Sequence, residues 1–144
     1  MKKNILSLKN LNKIYTRKNS NSIMALNNLN LDVNEGEILG LLGPNGAGKT
    51  TFINILGGTV IKTSGEVNVQ GFDLDKNPRQ VRASLGIVPQ EVNLDPFFSP
   101  RKILELQAGL YGIKKNERIT ETILKLVSLN GQADSYARSL SGGM

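Results

Sequence analysis

The sequence predicts an α/β fold, and three patterns carry that prediction. An apolar run feeds a glycine-rich stretch at residues 43–50, apolar residues at helical spacing follow it at once, and helical periodicity takes over after Ser99. Residues 5–15 hold short apolar stretches that suit an early strand, and the polar residues 16–22 read as a loop. In residues 25–33, Leu29, Leu31 and Val33 alternate with Asn28, Asn30 and Asp32, as in a half-buried strand, and Asn34, Glu35 and Gly36 make the turn after it. Residues 38–42 are apolar on both faces of any strand, which predicts a central strand covered by helices on each side. Beyond Lys49, the spacing of Phe52, Ile53 and Leu56 predicts a helix stopped by Gly57 and Gly58.

Residues 66–69 read as a short strand between Gly65 and Gly71, and residues 78–85 as a short helix with Pro78 in its first turn. Residues 86–88 read as another buried strand, ended by Pro89. Further on, Ile103, Leu106 and Leu110, then Ile119, Ile123, Leu126 and Val127, predict two amphipathic helices separated near Gly112. No internal repeat, low-complexity tract or linker is read from the chain.

Composition narrows the chemistry. The 144 residues suffice for one domain, and 39% hydrophobic with 21% charged residues is an ordinary globular balance. No run is long enough to span a bilayer and the start lacks a secretory pattern, so a soluble cytoplasmic chain is expected. Without cysteine or histidine there is no disulfide framework, thiolate site or imidazole base. The net charge of +6 would suit a polyanion, but the lysines and arginines are scattered and no aromatics interleave with them, so no nucleic-acid partner is expected.

Gly43, Pro44, Asn45, Gly46, Ala47, Gly48, Lys49 and Thr50 fit the spacing G-x-x-x-x-G-K-[ST]. By average residue usage, a chance match in a chain of this length is about a 1% event. Glycines let successive amides turn inward around an anion, and the following helix adds its unpaired N–H groups and positive dipole end. Lys49 adds a full charge: at about 4 Å and an effective dielectric near 20, a unit charge pair contributes on the order of 4 kcal/mol before desolvation. The motif therefore predicts a site for the triphosphate of ATP. The Thr50 hydroxyl is placed to ligate Mg²⁺ bridging the last two phosphates, and Thr51 to donate to another phosphate oxygen.

Other residues give the loop a context. The chain ends Leu140, Ser141, Gly142, Gly143, Met144, which resembles the signature motif of the ABC ATPases, commonly Leu-Ser-Gly-Gly-Gln. Tyr15 lies where that family places an aromatic that stacks on adenine. Thr63, Ser64, Gly65, Glu66 and Val67 with Gly71 resemble its hairpin after the P-loop. Gln90 resembles the Q-loop glutamine that touches Mg²⁺ and water and senses the membrane partner. Residues 93–113, with Leu110, Tyr111 and Gly112, look most like the ABC-2 type exporters. The resemblance covers nearly the whole chain and implies a P-loop NTPase (RecA-like) core with an N-terminal antiparallel β subdomain and the start of an α-helical subdomain. Its implied division places the β subdomain and P-loop core in residues 1–89 and the Q-loop and helical subdomain in residues 90–144.

The resemblance also implies a mechanism. Two ATPase domains meet head to tail, so the P-loop of one and Ser141, Gly142 and Gly143 of the other enclose each ATP, with Lys49 and Gln90 serving the chemistry. Motion then passes to a transmembrane permease, which holds the ATPase on the inner face of the cell membrane. Met144 stands in place of the usual glutamine. The family's Walker B aspartate, catalytic glutamate, D-loop and switch histidine would follow Met144, so this chain alone is expected to lack appreciable ATPase activity and to expose a sheet edge that invites aggregation. Two other readings compete: a soluble ABC-type ATPase acting on ribosomes or DNA, and a kinase or GTPase with an accidental Ser-Gly-Gly tail. Against the first, no coiled coil or cysteine pair lies between Gly48 and Leu140; against the second stand residues 63–71 and Gln90.

Overall fold

The computed structural model describes residues 3–17, 20–88 and 95–141. The chain divides into two compact units, Met1–Val88 and Pro89–Met144. The first is built on a four-stranded antiparallel sheet in the order β2-β1-β3-β4, with β1 at Asn4–Arg17, β2 at Ser20–Asn34, β3 at Ser64–Val69 and β4 at Phe72–Asp73. Two helices, α1 at Lys49–Leu56 and α2 at Pro78–Ala83, complete it. Leu8, Leu11 and Leu26 of the long hairpin, Val67 and Val69 of β3, Phe52, Ile55 and Leu56 of α1, and Val81 of α2 form one buried core.

The hairpin is longer than its apolar pattern predicts. The expected loop at residues 16–22 is largely strand, with Tyr15 opposite Ile23 and Arg17 opposite Ser20. A ladder is made by backbone groups, so polar residues extend it once flanking pairs set the register. Within the hairpin, Asn10-Leu11-Asn12 and Asn28-Leu29-Asn30 answer one another. The Asn10 amide donates to Asn30 Oδ1 at 2.8 Å and the Asn28 amide to Asn12 Oδ1 at 2.7 Å. Asn12 Nδ2 and Asn30 Nδ2 in turn donate to the carbonyls of Asn10 and Asn28 at 2.7 and 2.8 Å. Both Asn10 and Asn28 sit at φ 50°, a left-handed conformation that asparagine tolerates better than most residues, and the register shifts on either side of Leu11. The bulged backbone is thus paired by side chains where the ladder cannot pair it.

Gly65 meets this bulge. A Cβ there would lie 2.4 Å from the Asn10 carbonyl oxygen and 2.6 Å from Leu11 Cα, so only glycine lets β3 approach β1 so closely. The β3–β4 turn is Gln70-Gly71, both at positive φ, with Asn68 Oδ1 accepting the Gly71 amide at 2.9 Å. That hairpin agrees with the expectation for residues 63–71.

Two expected strands are not formed. Residues 37–44 have no regular structure, Ile38 and Leu42 being 101% and 93% exposed, and residues 86–88 are likewise irregular with Val88 exposed. A strand apolar on both faces is held by ladder partners and by layers above and below, and among the described residues no strand pairs with either segment. In α1 the inward residues are Phe52, Ile55 and Leu56, while Ile53 is exposed, because the i, i+3, i+4 set shares one face and Ile53 lies off it.

The second unit holds α3 at Pro100–Leu110 and α4 at Thr120–Leu126, the two helices the periodicity predicts. Ser99 caps α3, its side chain accepting the Lys102 amide at 3.3 Å, and Pro100 fills the first turn where its missing N–H costs nothing. The helices are joined by polar contacts as much as by packing. Glu105 receives Arg118 at 2.5 Å and the Thr120 hydroxyl, and Arg101 bonds Asp134 at 2.8 Å and pairs with Glu121. Leu124, Ala133 and Thr120 are its buried residues among those described. No described helix is long and apolar enough to cross a membrane.

Candidate functional site

The glycine-rich loop sits between residues 37–42 and α1, and its closing residue is fixed by the sheet. Gly48 is at φ 85°, immediately before α1, and its carbonyl accepts the Phe52 amide at 2.9 Å. A Cβ on Gly48 would lie 2.3 Å from the Ala25 carbonyl oxygen and 2.8 Å from Leu26 Cδ2, so the end of the loop rests directly on β2. Gly46 also takes a positive φ of 85°, and Ala47 donates to the Pro44 carbonyl at 3.2 Å, giving the loop a tight inner turn.

Lys49 folds back over that turn. Its ammonium donates to the carbonyls of Gly43 and Pro44, the second at 2.8 Å, and keeps a third N–H. Among the described residues no carboxylate pairs with it. The amides of Lys49, Thr50 and Thr51 open α1 and have no backbone acceptor among the described residues. A lysine ammonium and three helix-opening amides therefore border one turn, and Thr50 and Thr51 are among the residues that open the helix there. Such a set suits an oxyanion with several charges and offers nothing comparable to a neutral ligand.

Tyr15 reaches the same place from the sheet. Its hydroxyl lies 3.5 Å from Thr51 Oγ1 across a separation of 36 residues, and the residue is 37% exposed. The strand residue and the loop named from the sequence are thus brought together inside one compact unit. The structure adds Lys13, whose ammonium stands 4.7 Å from the centre of the Tyr15 ring and donates to the Ile61 carbonyl at 2.8 Å. The sequence reading passes over Lys13, although alternation along β1 would have found it, since residues two apart share a face.

Of the other predicted residues, Ser141 lies at the exposed end of the second unit. The segment before it is tied to the start of α3: Ala137 donates to the Phe98 carbonyl at 2.9 Å and Arg138 to the Pro96 carbonyl at 3.2 Å. The Arg138 guanidinium stands 5.2 Å from the Phe97 ring and 5.4 Å from the Tyr136 ring. Gln90, Gly142 and Gly143 lie outside the described residues. No group of three or more acidic, histidine or cysteine side chains able to hold a metal occurs among the described residues.

The chain has recognisable relatives among known proteins. The family model described as ABC transporter matches residues 26–144. The Nod factor export ATP-binding protein I of Cupriavidus metallidurans is 38% identical over 97% of this chain and 45% of that protein. The methionine import ATP-binding protein of Geobacillus kaustophilus is 35% identical over 96% of this chain and 42% of that protein. Among solved structures, a dimeric ATP-binding cassette in a post-hydrolysis state, bound to ADP and Pi, superposes with a TM-score of 0.79 at 30% identity, over 96% of this chain and 64% of that one. The chain spans about half the length of the curated relatives it matches. The fold is therefore the α/β fold of the P-loop NTPases.

Proposed function

This chain belongs to the ABC transporter family, and from that premise we propose that it is the ATP-binding part of a transport ATPase that couples ATP binding and hydrolysis to movement of a substrate across a membrane. The observation that carries the proposal is the convergence of Lys49, the first amides of α1 and Tyr15 at one turn. Residues 43–50 hold the triphosphate, Lys49 neutralising its terminal charge, and Tyr15 stacks on the adenine. The two roles are compatible in space, because the Tyr15 hydroxyl reaches to 3.5 Å from Thr51 Oγ1, beside the loop that holds the phosphates.

Magnesium fits this site through its donors. Thr50 offers a hard hydroxyl oxygen, and Mg²⁺ characteristically takes one or two protein ligands and completes its shell with phosphate oxygens and water. Thr50, with Gln90, would hold it, and the ion would supply neutralisation of charge between the last two phosphates. Ser141, Gly142 and Gly143 serve the nucleotide of a second ATPase domain, in a head-to-tail dimer. A transmembrane permease is the third component and places the ATPase on the cytoplasmic face of the membrane. Export is the proposed direction, on the likeness of residues 93–113 to the ABC-2 type exporters; the relatives' names include both export and import.

The test is equilibrium binding of Mg-ATP to the intact polypeptide. Lys49→Ala removes a charged hydrogen-bonding group, so affinity should fall about ten- to one-hundredfold. Affinity equal to that of the parent protein would end the proposal at its root.

A further inference from the structure

We propose that Lys13 is a positioning residue for the nucleotide base, acting through Tyr15; this rests on the reading of Tyr15 as the stacking residue. The geometry is specific. Lys13 and Tyr15 are two apart on β1 and so share a face of the sheet, opposite Leu26 and Ile23. The lysine is half-buried, and its ammonium is held by the Ile61 carbonyl at 2.8 Å, so the charge stays over the ring. It lies 4.7 Å from the ring centre, within the range in which a cation is attracted by an aromatic face.

Two consequences follow for a base. First, one face of Tyr15 is covered by the ammonium, so the base stacks on the other, while the hydroxyl at the ring's edge approaches Thr51 Oγ1. Second, the cation draws π-density towards itself, so the opposite face repels an electron-rich purine less. A lysine in this arrangement contributes to holding the base and not to holding the phosphates. That division sets it apart from Lys49.

The experiment measures binding of Mg-ATP and of Mg-tripolyphosphate, which has no base, to the full chain and to Lys13→Met, Lys13→Gln, Lys13→Arg and Tyr15→Ala. Lys13→Gln retains a donor for the Ile61 carbonyl while removing the charge, so it reports on the cation even if Lys13→Met is poorly folded. Loss of a cation–π contact should weaken ATP about two- to fivefold, leave tripolyphosphate unchanged, and be largely restored in Lys13→Arg. Equal weakening of both ligands would make Lys13 a general charge or a structural residue and overturn the proposal, as would no change in either. If Tyr15→Ala lowers the ATP-to-tripolyphosphate ratio but Lys13→Gln does not, the Lys13 role alone fails. If Tyr15→Ala leaves the ratio unchanged, the stacking role fails and takes Lys13 with it.

Discussion

Leu11 sits between two asparagines and Ile38 opens a run without a polar residue, yet within one compact unit Leu11 is completely buried and Ile38 completely exposed. The difference is not in the residues. Leu11 lies on a strand with β2 on one side and β3 on the other, and α1 contributes Phe52, Ile55 and Leu56 to the same core. Residues 38–42 have no ladder partner among the described residues, so their backbone groups turn to water and their side chains follow. Apolar character makes a segment able to be a central strand; neighbouring strands make it one.

The comparison can be broken directly. In this chain Leu11→Ala should cost about 2–5 kcal/mol of unfolding free energy, as deletion from a packed core does, while Ile38→Ala should stay within about 0.5 kcal/mol. Urea unfolding midpoints check both, and equal losses would mean that residues 38–42 are packed after all. The same contrast sharpens at the hairpin bulge. Asn12→Ala removes the acceptor of the Asn28 amide and the donor to the Asn10 carbonyl, so it should cost about 1–3 kcal/mol. Asn30→Ala removes the reciprocal pair, and the double variant should lose less than the two singles added, because the bonds serve one bulged element. Strict additivity in a double-mutant cycle would show the two tripeptides to be independent.

The smallest expected effect is in the second unit, where polar contacts take the place of a large core. The carboxyl of Glu105 is held below its ordinary value of 4.5, first by the Thr120 hydroxyl and then by Arg118. As pH falls the unfolded chain takes up this proton before the folded one does, so the contribution is complete above the ordinary value and is lost as pH drops through the folded value. Thermal melts of the helical unit between about pH 3 and 6 should show a shallower acid limb for Glu105→Gln. An unchanged limb would assign acid sensitivity to other carboxylates.

The parts of the site legible in the sequence were those with fixed local spacing. Residues 43–50 announce their own conformation because the glycines and Lys49 all fall at fixed spacing within one short loop, and the family resemblance adds Tyr15. The helices α3 and α4 were readable from periodicity, and Ser99-Pro100 marked the start of one. What could not be read was whatever depends on a partner distant in the chain. The exposure of Ile38 and Val88 and the support of Gly48 by Ala25 are both set by tertiary neighbours. The asparagine tripeptides are a middle case: they are visible as a repeated Asn-Leu-Asn, too short to register as a repeat, and they acquire meaning only when the hairpin brings them together.

The seat of Gly48 beneath the Ala25 carbonyl bears on how portable the motif is. Grafting the octapeptide between any convenient strand and helix would copy its letters and leave behind the shelf that seats its last glycine. A transplant therefore has to carry the hairpin too, and the smallest transferable part of this site is β1, β2, the loop and α1 together.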